Sequence, residues 1–362
     1  YWEEQPAIVI PEVGPPRIFF SRFSLDTYNH DLYQAAWDGA AWSNPIPVHP
    51  GDRYDLSVAP VEYDGEIHLF WQRWIDGTSS IFWTRENGGT WTAPVNLSPG
   101  AVNASQPVVA RDTSGDLSLA YTVRDRGRWD VVFRRFNGNW TLPEYITDAD
   151  ASQTMPEMTA FNSDEIWMTY VTDAAGNPDI AARRFNGSQW LEEEYVAGTT
   201  HVESRPRIGI ATDVPVVVYH RKTGDTDLCA AIRTGGQWVS WVIEDSSWND
   251  QDPDLAHDSE GNTHMVWCSD RDGNTNIYTD ELVSAGSQCP RDGDVTQDAI
   301  VTAGDAQLAF LIAIGSYTPT IVEECAADCN ADDEVTAGDA QAVFMCALGG
   351  SECADPVIQP PQ

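Results

Sequence analysis

Residues 57–98 read SVAPVEYDGEIHLFWQRWIDGTSSIFWTRENGGTWTAPVNLS. Asp64-Gly65, Asp76-Gly77 and Gly88-Gly89 cut this stretch into four apolar runs, with apolar and polar residues alternating in each. Asp-Gly and Gly-Gly accept the positive φ angles of tight hairpins, and a two-residue period is that of a half-buried strand. The stretch therefore predicts four antiparallel strands joined by three short turns.

Three markers show that this unit is repeated. A proline opens a short strand at Pro6, Pro107, Pro156, Pro206 and Pro253, with Pro60 taken as its counterpart in the second unit. A small polar or acidic residue precedes an aliphatic one at Asp31-Leu32, Ser80-Ile81, Asp130-Val131, Asp179-Ile180, Asp227-Leu228 and Asn276-Ile277, in steps of 49, 50, 49, 48 and 49. A turn runs into Trp42, Trp91, Trp140, Trp190 and Trp238. Six four-stranded units in fixed register predict a mainly β fold, a six-bladed β-propeller over residues 1–286. The tryptophans are expected to fill space between blades. The segment TRENGGTW at 84–91 resembles the Asp-box of sialidase-type propellers, with Glu86 in the aspartate's place. In those families the motif is a folding element distant from the chemistry, so the resemblance implies the fold alone.

The sixth unit begins at Trp248 and supplies three strands, but no turn-plus-tryptophan follows near residue 287. An unfinished blade leaves an open hydrogen-bonding edge, which proteins avoid. The tail CADPVIQPPQ matches the earlier fourth strands if Cys353 takes the tryptophan position, since Pro356 then follows as Pro45, Pro94 and Pro143 do. Asp355, Pro356, Val357, Ile358 and Gln359 (within 354–362) are therefore expected to complete a sixth blade. The blade is that of the same chain or of a neighbouring copy. Donation between copies would be head-to-tail and build a filament.

Residues 287–353 contain a duplication in which VTAGDAQ recurs 34 residues apart. Each copy is a loop of alternating oxygen-bearing residues before an apolar helix, the arrangement of a Ca²⁺ loop with ligands at positions 1, 3, 5, 7, 9 and 12. The first loop offers Asp294, Thr296, Asp298, the Ile300 carbonyl, Thr302 and Asp305. The second offers Asp328, Asn330, Asp332, the Glu334 carbonyl, Thr336 and Asp339. The doubled loop–helix unit, with aspartate at position 12, resembles a type I dockerin, a small α-helical EF-hand-like module. That resemblance implies two Ca²⁺ sites and docking to a cohesin. Position 6, usually glycine, is Ala299 and Asp333, and the pair before the last aspartate is Ala-Gly in both copies.

With 56 Asp and Glu against 20 Lys and Arg, the formal charge is −36, which opposes nucleic acid and anionic membrane as partners. Five of the seven cysteines lie between Cys289 and Cys353, and Cys229 and Cys268 are a candidate pair in adjacent blades. Such clustering favours disulfides and a secreted or cell-surface location. No nucleophile elbow or zinc spacing occurs. Arg22, Arg73 and Arg221 recur on second strands, and Glu62, Glu66, Asp76 and Asp125 fall near turns, without a sialidase arginine signature. The expectation is a non-enzymatic structural or adhesive protein that assembles with itself. The alternative is a lectin or glycosidase-like propeller held by a cohesin, with glycan contacts at Trp71, Arg73, Trp74, Tyr121 and Trp129.

Overall fold

A computed structural model describes residues 2–348 except 27, 52, 102, 113–114, 126, 148–149, 162–164, 212–213, 245–246, 258–262, 283–292, 297–300, 318, 320–322, 324–325 and 331–334. The chain divides into two compact units, Tyr1–Asp280 and Glu281–Gln362.

The first unit is a series of antiparallel sheets. Blade one holds β1 (Trp2–Val9), β2 (Arg17–Ser24), β3 (Asn29–Ala36) and β4 (Ile46–Pro47). Blade two holds β5 (Tyr54–Tyr63), β6 (Glu66–Ile75) and β7 (Thr78–Asn87), with β8 (Thr90–Trp91) and β9 (Val95–Asn96) both paired to β7. Blade three is β10 (Ser105–Arg111), β11 (Leu117–Asp125), β12 (Arg128–Phe136) and β13 (Glu144–Tyr145). Blade four is β14 (Gln153–Ala160), β15 (Glu165–Thr172), β16 (Asp179–Asn186) and β17 (Glu194–Ala197). Blade five is β18 (Val202–Ala211), β19 (Val214–Lys222), β20 (Thr226–Thr234) and β21 (Gln237–Glu244). Blade six has three strands among the described residues, β22 (Asp250–His257), β23 (Thr263–Ser269) and β24 (Asn276–Leu282). One parallel bridge, His30 to Tyr54, joins blades one and two. The first strands are neighbours in series, β1–β5–β10–β14–β18–β22, which gives the propeller-like arrangement.

Every first strand carries a bulge at the same place. The register shifts around Gln5, Ser57, Gln106, Met155, Arg205 and Asp252, each with φ of +51° to +54°. In five blades the next residue is the marker proline, which has no N–H to lose from the ladder. Blade two differs from the sequence reading. Its bulge is Ser57-Val58, and Pro60 lies two residues further on, paired with Leu69. Side chains from one bulge also reach the next. The Ser57 N–H donates to Gln5 Oε1 (2.7 Å), and the Met155 N–H donates to Gln106 Oε1 (3.0 Å).

The recurring tryptophans do join blades. Trp91 meets Phe19 edge-on at 5.9 Å, Trp140 meets Phe70 at 5.5 Å, Trp190 meets Phe133 at 5.0 Å and Trp238 meets Trp167 at 5.8 Å. Each partner belongs to the preceding blade. Edge-to-face pairs add roughly 0.5–1.5 kcal/mol beyond the area they bury. Glu86 is ion-paired with Arg17 of blade one. Cys229 and Cys268 are not bonded to each other; both are free thiols, and burial raises the Cys229 thiol to about 11.

In the second unit, α1 (Ala303–Ala313) and α2 (Ala337–Ala347) begin alike. Thr302 and Thr336 are N-caps, and Asp305 and Asp339 close the capping boxes by accepting from the threonine backbone N–H. Ala306, Ala309, Ile312, Ala340 and Val343 form a small core with Val295, Ala326 and Ala327.

Candidate functional site

In an up-and-down blade, the turn between strands two and three and the link to the next blade emerge at the same end. This end gathers the polar residues that start β3 and β5 and finish β6. Asp31 opens β3, Tyr54 and Asp55 open β5, and Arg73 and Trp74 close β6, with register pairs Tyr54–Trp74 and Asp55–Arg73. Directly opposed residues in an antiparallel pair share one face of the sheet.

Asp55 is fully buried. Arg73 grips it through two bonds, Nε to Oδ1 and Nη2 to Oδ2, both 2.7 Å. The guanidinium also lies over the Trp71 and Phe82 rings, at 5.2 and 5.0 Å from their centroids. Asp31 is half-buried and accepts from Asn29 Nδ2 (3.4 Å) and the Gly51 N–H (3.2 Å). Burial pushes its carboxyl above the ordinary range, the Asp55 charge adds to this, and the two hydrogen bonds and Arg73 act against it. His30 is buried 4.3 Å from the Tyr54 ring, and burial lowers its pKa. Around this polar centre Tyr54 and Trp74 are each 38% exposed and Tyr28 is 74% exposed, in contact with Phe23.

Blades four and five repeat the polar part. Asn177 Nδ2 donates to Asp179 Oδ1 (3.1 Å) and to the Thr199 and His201 carbonyls, as Asn29 serves Asp31 and the Gly51 carbonyl. Glu203 stands where Asp55 does, and Arg221 where Arg73 does. The outcome differs. Arg221 Nη2 bonds to Asp227 (3.2 Å), and Glu203 accepts from the Thr199 hydroxyl with Asp179 as its charged neighbour. Both carboxyls are buried and both are pushed upward, first by burial.

The expected glycan contacts separate. Trp71 and Tyr121 are in the core, and burial raises the Tyr121 hydroxyl to about 12, so neither can meet a ligand. Arg73 is committed to Asp55. Trp74 remains at the surface, and Trp129 is half-buried at the start of β12. Glu62 and Glu66 flank the β5–β6 turn at the opposite end of the blade from Asp76 and share no site with it. Arg22, Arg221 and Arg271 each hold a carboxylate, of Glu3 (2.6 Å), Asp227 (3.2 Å) and Asp250 (3.1 Å). Sequence reading missed Tyr54 altogether and took Asp31 only as a repeat marker; the only signal was an Asn-x-Asp spacing at Asn29-His30-Asp31 and Asn177-Pro178-Asp179.

Of the expected Ca²⁺ ligands, Asp298, Ile300, Asp332 and Glu334 lie outside the described residues, as do Asp355, Pro356, Val357, Ile358 and Gln359. No cluster of three His, Cys, Asp or Glu side chains with metal-binding geometry occurs among the described residues. Asp305 Oδ1 accepts from the Thr296 N–H and hydroxyl (both 2.8 Å), and its Oδ2 from those of Thr302 (2.8 and 2.9 Å). Burial alone would raise this carboxyl, but the four bonds outweigh it and hold the pKa low. In the second loop Asp339 accepts three bonds, from the Asn330 N–H (3.3 Å) and from the N–H and hydroxyl of Thr336 (2.9 and 2.7 Å). No helix among the described residues is long and apolar enough to cross a membrane.

No protein-family model matches the sequence, and no curated protein sequence does either. Solved structures do match the fold. A protein of unknown function from Dyadobacter fermentans is 12% identical over 77% of this chain and 94% of its own, with a TM-score of 0.56. An ulvan lyase of polysaccharide lyase family PL25 is 13% identical over 76% of this chain and 77% of its own, with a TM-score of 0.58. The NanB sialidase of Streptococcus pneumoniae is 10% identical over 74% of this chain and 65% of its own, with a TM-score of 0.52. These likenesses establish a sialidase-like β-propeller fold. They also overturn the expectation of a non-enzymatic protein, because the lyase and the sialidase are enzymes built on this architecture.

Proposed function

We propose that the protein is a secreted, glycan-directed propeller that binds its ligand at the seam of blades one and two. The observation that carries this reading is the exposed cross-strand pair Tyr54–Trp74, one residue along each strand from the Asp55–Arg73 pair whose charges act on the half-buried Asp31. Sugar rings stack their C–H faces on such aromatics, and a carboxyl oriented by Asn29 accepts or donates to sugar hydroxyls. Neutral glycans are the favoured class. Arg22, Arg73, Arg221 and Arg271 are already engaged by carboxylates, and a net charge of −36 repels polyanions. If the bound glycan is cleaved, Asp31, which retains its proton to higher pH than an ordinary aspartate, is the proton donor.

A panel of neutral and anionic polysaccharides, assayed by affinity electrophoresis and for chain cleavage, tests this. Trp74→Ala and Tyr54→Ala are each expected to weaken binding at least about tenfold, the scale of one lost stacking contact. Asp31→Asn is expected to spare binding and abolish cleavage. Binding that is unchanged in both aromatic variants would sink the assignment.

Residues 287–353 are read as a dockerin-like module binding two Ca²⁺. The support is an all-oxygen donor set and the way Asp305 and Asp339 tie loop positions 3, 9 and 12 together. When bound, Ca²⁺ would supply the charge that lets these carboxylates stay together. Calorimetric titration of the full chain should show two equivalents, and Asp294→Asn or Asp328→Asn should each remove one. No heat of binding would refute the reading. Cohesin docking is part of the same proposal and is tested by pull-down with and without Ca²⁺.

A further inference from the structure

Two rows of side chains face the following blade at every seam. One comprises Phe19, Phe70, Ala120, Thr169 and Val218, which stand opposite the residue two past each bulge. The other comprises Leu32, Ile81, Val131, Ile180 and Leu228 on the third strands. All ten are sealed from solvent. Phe70 and Ile81 pack with Leu117, Leu119 and Tyr121 of blade three, and Ile180 with Ile208 and Val217 of blade five. The blade-six members break the pattern: Val266 is 40% exposed and Ile277 is 79% exposed. Trp42, whose counterparts each stack on the preceding blade, is 43% exposed and meets only Trp37 among aromatic rings of the described residues.

What seals the third-strand row elsewhere is the fourth strand. The N–H groups of Val48, Leu97 and Ile146 donate to the carbonyls of Leu32 (2.8 Å), Ile81 (2.8 Å) and Val131 (3.1 Å), and all three side chains are buried. These strands are very short; β4, β9 and β13 span two residues each. A comparably short segment is enough to finish blade six.

We propose that Pro356-Val357-Ile358 of the same chain binds along the open edge of β24, with Ile358 covering Ile277 as Leu97 covers Ile81. The structure alters the register that prolines alone suggest. Aligning Pro356 with Pro45, Pro94 and Pro143 would set Gln359 in the buried place and leave Val357 and Ile358 with the exposed Ile46, Val95 and Tyr145. A shift of one residue turns the pleat over and brings Ile358 inward. Pro47 in β4 shows that a fourth strand here tolerates proline. A tethered segment competes at an effective concentration on the order of mM, which favours the chain's own blade over a second copy.

Hydrogen exchange on the full chain tests this. In the wild type, the amides of Val357, Ile358 and Asn276–Leu282 should exchange at least about tenfold more slowly than in Ile358→Asp, with near-ultraviolet dichroism verifying that both are folded. Light scattering should give a monomer at concentrations where the protection persists. Equal exchange in the two proteins would overturn the proposal. So would protection that vanishes on dilution, because that would place the strand in another copy's blade. A second reading comes from Ile277→Cys paired with Ile358→Cys: oxidation should cross-link within one chain, and cross-links only between isotopically distinct chains would refute it.

Discussion

Replacing Arg73 with methionine should be among the most damaging single changes at the candidate site. Asp55 has no exposed surface, and both its oxygens are held by Arg73 at 2.7 Å, with the Arg73 side chain itself 10% exposed. Removing one member of a buried pair costs roughly 3–5 kcal/mol, because a carboxylate is left in a low-dielectric site without its counter-charge. Lost stacking of the guanidinium on Trp71 and Phe82 adds to that. The double variant Arg73→Met/Asp55→Leu removes both charges, so it should recover at least about half of the loss. Urea unfolding at constant ionic strength, followed by tryptophan fluorescence, measures all three proteins. The single variant's deficit should also shrink as pH falls, because a proton can neutralise the stranded carboxylate. A deficit below about 1 kcal/mol, or one equal in the single and double variants, would refute the reasoning, since the pair would then behave as a solvent-screened surface bridge.

Asp179 and Glu203 give a pH dependence of the opposite kind from an ordinary ion pair. Their folded-state pKa values are raised, so the native state holds more protons than the unfolded one, and stability falls as pH rises through those values. Glu203→Gln should flatten the decline in Tm between mildly acidic and mildly alkaline buffer; an unchanged slope would exclude the pair as its source. Among the tryptophans, Trp140→Ala should cost about 3–5 kcal/mol, because Trp140 packs on Phe70, Trp83 and Phe136, whereas Trp42→Ala should cost less than about 1 kcal/mol. Comparable losses in thermal unfolding would contradict the open seam beside Trp42.

The repeat was legible because it is written in local chemistry. Turn glycines, alternating strands and a tryptophan every 48 to 50 residues specify hairpins without reference to anything distant. From them followed the strand order of every blade, the three-stranded sixth blade among the described residues and the role of the tryptophans between blades. Tertiary structure decided which face each side chain occupies. The bulge at Gln5, Ser57, Gln106, Met155, Arg205 and Asp252 inserts one residue in each first strand and so shifts the alternation beyond it. Trp71 and Trp74, three residues apart on the unbulged β6, fall on opposite faces by alternation alone, and packing decides which face is core: Trp71 is buried and Trp74 is paired with Tyr54 at the surface. The same holds for charge. Arg73 and Arg221 are equivalent in sequence, yet one neutralises its cross-strand acid and the other turns to Asp227, leaving Glu203 next to the like charge of Asp179. Strand pairing within a blade and contact between blades set these pairings, which join residues 6, 18 and 24 positions apart, and local sequence records only that both partners are charged.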